Sequence, residues 1–247
     1  MLNEAFQCVL HLSKKYNIDE SHSLKHSMEV LKFAEDIYSD EVQNTPILRD
    51  QRNIIMAAAI LHDMCDRKYV ADEVVAIQEI RDSMKGAITD EEMDIVVGII
   101  TTMSYSKVKK NGFPNLGQYQ TAYHVVREAD LLAAYDIDRC VMFAIFVHKM
   151  DYENALERAR TLFRERVLTY RRDGLFLTAY SQRKSYELHV KSLDNFREPE
   201  VKSDEACEQC CENRFWGGVG QCKNQTCKNF VCRCNKFRCY VCCPEII

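Results

Sequence analysis

The chain has 247 residues, 47% of them hydrophobic and 28% charged, which is the make-up of a globular protein with one sizeable core and an appendage. Its formal net charge of −4 points to no class of partner, but the charge is uneven: residues 213–247 carry about +5 and the rest about −9. No run of about 18 apolar residues exists to span a membrane, and residues 1–16 lack the apolar core of a signal peptide. An intracellular, cytoplasmic protein is expected.

Residues 2–16 place Leu2, Phe6, Val9, Leu12 and Tyr16 at helical spacing, so an amphipathic helix is expected there. After a break at 17–21, Ser21 is the expected cap of a second helix running to about Tyr38, with Leu24, Met28, Leu31, Ala34 and Ile37 as its apolar stripe. His22 and His26, four apart, would share one face of it. Residues 42–48, with Pro46, read as a loop. Residues 49–61 read as a third helix whose second half, 54–61, is apolar on every side and therefore buried.

That helix ends in His62-Asp63, which puts polar groups at a buried terminus where they need partners. Helices are expected over 71–84 and 89–103, parted at Lys85-Gly86, with Thr89 as N-cap. Residues 104–117 read as a basic loop holding Lys107, Lys109 and Lys110. Further helices are expected over 118–135, which delivers Asp130, and over 138–150, 153–171 and 180–193. No strand pattern competes, so the fold class is all-α.

His26, the His62-Asp63 pair and Asp130 stand in the order His, His-Asp, Asp, and the His22-x-x-x-His26 segment leads into Val30 and Ala34. With those motifs the chain resembles the HD-domain superfamily of metal-dependent phosphohydrolases, in particular its small stand-alone hydrolases, over about residues 10–150. The resemblance implies a helical bundle in which His26, His62, Asp63 and Asp130 hold one divalent ion. Two imidazoles and two carboxylates suit Mn, Fe, Co, Ni or Zn, and Mg less well. The implied activity is hydrolysis of a phosphorylated small molecule, with a nucleotide as the leading substrate. Asp66 would assist the attacking water, and His22 would orient the substrate or leaving group. Lys68, Arg127 and Lys107 are the cations expected to hold phosphate. Glu29 departs from the family pattern, which has arginine there, and places a carboxylate where a phosphate-binding cation would help.

Residues 199–205 form a polar linker between a domain at 1–198 and a cysteine-rich segment at 206–247. Ten of the thirteen cysteines fall in that segment. Clustered thiols in a reducing compartment point to structural zinc, which would supply folding energy that so short a segment lacks. Cys207 with Cys210 and Cys239 with Cys242 form C-x2-C pairs, and Cys222 with Cys227 and Cys232 with Cys234 are their natural complements. Adjacent cysteines at 210/211 and 242/243 leave the grouping open, and disulfides or free thiols are the alternative. Basic residues alternate there with aromatics, so the tail could also bind RNA or single-stranded DNA. On that alternative the protein is a nucleic-acid or protein-binding module with a non-catalytic HD domain.

Overall fold

The computed structural model describes residues 1–193 and residue 196. Among the described residues the secondary structure is helical, with no strand. Ten α-helices follow in order: α1 (Leu2–Tyr16), α2 (Leu24–Glu41), α3 (Arg52–Leu61), α4 (Glu73–Met84), α5 (Asp90–Ile100), α6 (Tyr105–Asn111), α7 (Gln120–Ala133), α8 (Ile137–Phe146), α9 (Tyr152–Glu165) and α10 (Ala179–Leu193). They belong to one compact unit, Met1–Asn195. The linker, the ten tail cysteines and the end of the expected domain at 198 lie outside the described residues. No helix among the described residues is long and apolar enough to cross a membrane.

The unit is built around α3. Every residue from 54 to 61 is buried, as its all-round apolar sequence requires. α1, α2, α5 and α7 pack around it, and α10 closes over α2 and α7. Small side chains at Ala57, Ala58 and Ala59 let these neighbours approach closely. Several helix starts follow their capping residues. Thr89 and Glu92 form a reciprocal capping box at α5, and Asp72, Asp136 and Asp151 accept backbone N–H groups at α4, α8 and α9.

Three expectations are corrected. Ser21 does not cap α2, which begins at Leu24 after Ser23. The Asp19 carboxylate instead accepts the Ser21 N–H at 2.9 Å, and Arg139 donates to the Ser21 carbonyl at 2.8 Å. These bonds hold 19–23 as an ordered turn, so His22 precedes the helix and does not share a helical face with His26.

The inward face of α2 is also turned from the expected stripe. His26, Ser27, Val30, Ala34 and Ile37 are buried, whereas Met28 is 56% exposed. The expected stripe holds at Ala34 and Ile37 and fails in the first turns, where the inward residues include the polar His26 and Ser27.

Third, the basic loop at 104–117 contains helix α6. Val108 is its buried anchor, the Arg166 guanidinium lies 4.5 Å from the Tyr105 ring centroid, and Gly112 at φ 74° ends the helix. Smaller shifts occur elsewhere: a 3-10 turn, Pro46–Arg49, stands before α3, and another, Val167–Thr169, follows α9.

α8 and α9 form a hairpin with a small core of their own, made by Val141, Ala144, Ala155 and Ala159. This hairpin brings Arg139 and Phe143 to the turn at 19–23.

Candidate metal centre

Three segments converge on one point. His26 comes from the first turn of α2, His62 and Asp63 from the end of α3, and Asp130 from α7. The Nε2 atoms of His26 and His62 face each other at 3.0 Å. Asp63 Oδ2 lies 3.3 Å from His26 Nε2 and 3.1 Å from His62 Nε2, and Asp130 Oδ1 lies 3.4 and 3.7 Å from the same two atoms. Atoms that share one ion through bonds of about 2.0–2.1 Å sit about 3 Å apart, so this spacing fits a shared cation. Asp63 Oδ2 is buried and meets no well-aligned hydrogen-bond donor, as expected of an atom whose partner is an ion.

The histidine side chains are 1% and 2% exposed, while Asp63 and Asp130 keep 14% and 25%. The centre therefore opens on its carboxylate side. His62 Nδ1 donates to the Ala59 carbonyl at 2.9 Å, which fixes the ring and presents Nε2 as the ligand atom. Among the described residues, His26, His62 and Asp130 form the one group of His, Cys, Asp or Glu side chains whose donor atoms gather within 4.8 Å, and Asp63 joins it through the contacts above.

The electrostatics of the metal-free protein follow from this crowding. Burial works against a charged His62, yet the Asp63 and Asp130 carboxylates and the Ala59 carbonyl outweigh it and raise its pKa to about 9. Burial would likewise raise both carboxyls. The His62 charge holds Asp63 well below its ordinary range, and the His26 hydrogen bond does so for Asp130.

The linkage follows in sign. The stability from His62 is complete below its ordinary value of 6.5 and is lost as pH rises through about 9. That from the carboxylates is present above their ordinary 3.8 and is lost on acidification. An ion must displace the His62 proton, so apparent Mn²⁺ affinity is expected to rise by about tenfold per pH unit up to the His62 pKa. Dye competition between about pH 6.5 and 8.5 should show a rise of about 100-fold. A flat profile would contradict a ligand role for His62.

His22 sits beside the centre, its ring centroid 6.2 Å from that of His26. Tyr69 gives its one proton to Asp19 Oδ2 at 2.5 Å and stands 2.9 Å from His22 Nδ1, with Ser21 Oγ at 2.6 Å on the same nitrogen. Burial and the nearby charges of Lys68, Arg139 and His26 push His22 down to about 4 against the pull of Asp63, so its ring is neutral at pH 7. The Tyr69 and Ser21 hydroxyls, both on Nδ1, fix the orientation of this neutral ring.

The cations divide differently from the sequence expectation. Lys68 stands at the site: its ammonium is 3.2 Å from Asp66 Oδ2 and 5.9 Å from the centroid of Phe143. Asp66 Oδ1 also accepts the Lys68 N–H at 2.9 Å, so both oxygens of Asp66 face Lys68.

Arg127 is instead committed to the core. It is 1% exposed, donates to Glu128 at 2.9 Å and to the Leu175 carbonyl at 2.7 Å, and stacks on Phe113. Lys107 closes the turn before α6 by donating to the Thr101 carbonyl at 2.7 Å. Two arginines that no local motif marks lie within electrostatic reach of the centre: the Arg139 charge acts on His22, and the Asp130 charge on Arg166. Arg166 donates to the Tyr170 hydroxyl at 3.0 Å.

The chain matches no family model, no curated protein and no solved structure.

Proposed function

We propose that residues 1 to about 198 form an HD-type bundle that acts as a metal-dependent phosphohydrolase on a nucleotide or related phosphate ester. The observation that supports this reading is the meeting of His26, His62, Asp63 and Asp130 from three separate segments, at distances that suit one shared ion. A divalent ion held by those four residues would polarise a phosphoryl oxygen and lower the pKa of the attacking water.

The chain's own groups do the rest. Lys68 offsets the charge of the phosphate, and the Arg139 and Arg166 charges add to the positive potential around the centre. Asp66 positions Lys68 through both oxygens. Neutral His22, beside the centre, orients a water or leaving group, and Tyr69 and Asp19 fix its ring. Glu29 lies half-buried, and burial and Asp136 raise its pKa against the pull of His26 and Arg139. For the tail, structural zinc on the C-x2-C pairs stands as a proposal from sequence.

Phosphate release tests the reading, measured across nucleotides and simple phosphate esters with Mn²⁺, Mg²⁺, Ni²⁺ and Zn²⁺. The expected result is release that stops on chelation and returns with one added ion. No release from folded, metal-loaded protein in any combination would overturn it and favour a binding role exerted through the tail.

A further inference from the structure

A second feature lies beside the metal centre and shares only Asp19, Lys68 and Tyr69 with the chemistry above. A cleft of about 690 Å³ opens where the end of α1 meets the end of α8, with Asn17, Glu20, Lys68, Tyr69, Phe146 and Lys149 among its walls. Its volume falls in the range of small-molecule sites, about 300–1,000 Å³. Lys68 and Tyr69 form the wall it shares with the centre, since Tyr69 contacts the His22 ring that lies beside His26.

Asn17 at φ 52° and Lys149 at φ 55° line it with left-handed backbone, each closing the turn after a helix, where the Ile18 N–H bonds back to the Ser13 carbonyl and the Met150 N–H to the Ala144 carbonyl. Two observations set this cleft apart from an ordinary surface hollow. Phe146 is 51% exposed and stacks on no other ring among the described residues, and Val147 beside it is 40% exposed. The polar residues Asn17, Asp19 and Glu20 also line it.

We propose that this cleft binds the nucleoside part of a nucleotide whose phosphates reach the metal centre past Lys68. The proposal rests on the phosphohydrolase reading for the position of the phosphates. The base stacks on Phe146 against Val147, a geometry that serves any purine or pyrimidine face. The Asn17 amide, which both donates and accepts, reads the edge of the base, and Glu20 accepts from a ribose hydroxyl or an exocyclic amine. Lys68 then stands between the two subsites, where a ribose-linked phosphate would pass. A sugar phosphate would leave the aromatic wall bare, and an inorganic polyphosphate would leave the whole cleft unused.

Titration calorimetry on the whole, metal-loaded protein tests this. The probes are non-hydrolysable analogues of ATP, GTP, CTP and UTP and the matching analogue of inorganic tripolyphosphate. At least one nucleotide is expected to bind at least tenfold more tightly than tripolyphosphate, and Phe146→Ala to remove about tenfold of its affinity with little effect on tripolyphosphate. Asn17→Gly keeps the left-handed backbone while deleting the amide, and should weaken the same nucleotide several-fold.

No nucleotide preference over tripolyphosphate, or a preference that both variants leave intact while remaining folded by circular dichroism, overturns the proposal. Failure of the two readings is distinguishable. Phosphate release from simple esters without any nucleotide preference in binding removes the nucleoside subsite alone. A nucleotide preference that both variants reduce, without phosphate release, keeps the subsite and removes the hydrolase.

Discussion

Asp63→Ala is expected to lower the rate of phosphate release by about 10³-fold, the equivalent of about 4 kcal/mol of transition-state stabilisation. The size follows from the place of one oxygen. Asp63 Oδ2 contacts both ligand histidines, so its loss removes a donor and half the negative charge that balances an ion there. Asp63→Asn keeps the shape and removes the charge, and should fall nearly as far.

The same substitutions should also bring the His62 pKa down from about 9 towards its ordinary range, because the Asp63 carboxylate is the largest of the influences that raise it. Single-turnover phosphate release, Mn²⁺ binding and titration of the His62 ring by NMR read the three effects separately. A variant that keeps its ion and works within tenfold of the native rate would remove Asp63 from the ligand set.

The largest effect on stability is expected at Glu128. Its carboxylate is wholly buried and accepts from Arg127 at 2.9 Å, from the backbone N–H groups of Leu177 and Thr178 at 2.9 and 3.1 Å, and from the Thr178 hydroxyl at 2.7 Å. Glu128→Ala leaves the Arg127 charge buried without its partner and strips two backbone donors. Breaking a buried pair from one side costs about 3–5 kcal/mol. For a unit of this size each kcal/mol moves Tm by about 2–4 °C, so a fall of about 10 °C is expected in a thermal melt. Glu128→Gln keeps an acceptor and should fall less. A change under about 2 °C for the alanine variant would show that the network is not what ties α7 to the segment before α10.

Much of the frame was legible because local signals agreed with tertiary need. Thr89 with Glu92 announced the start of α5, and the apolar run at 54–61 announced a helix buried on all sides. The spacing of His26, His62, Asp63 and Asp130 along the chain identified four groups that do meet in space.

What stayed hidden depends on contacts between segments distant in sequence. Arg127 and Lys107 look like any other cations in sequence, and the Glu128 carboxylate and the Thr101 carbonyl decide their fate. Arg139 and Arg166 come near the centre only because α8 lies against the turn at 19–23 and the residue after α9 packs on the Tyr105 ring. The inward face of α2 was misjudged since polarity, the usual guide to the outside, marks its functional residues.

The separate core of the α8–α9 hairpin divides the protein by how easily its parts open. The four candidate ligands come from α2, α7 and the end of α3, which pack directly on one another, so slow amide exchange is expected there. α8 and α9 pack chiefly on each other, around Val141, Ala144, Ala155 and Ala159, so faster exchange is expected in the hairpin. On the reading proposed above, Arg139, Phe143 and Phe146 would then move apart for a bulky molecule to enter without loosening the four ligands.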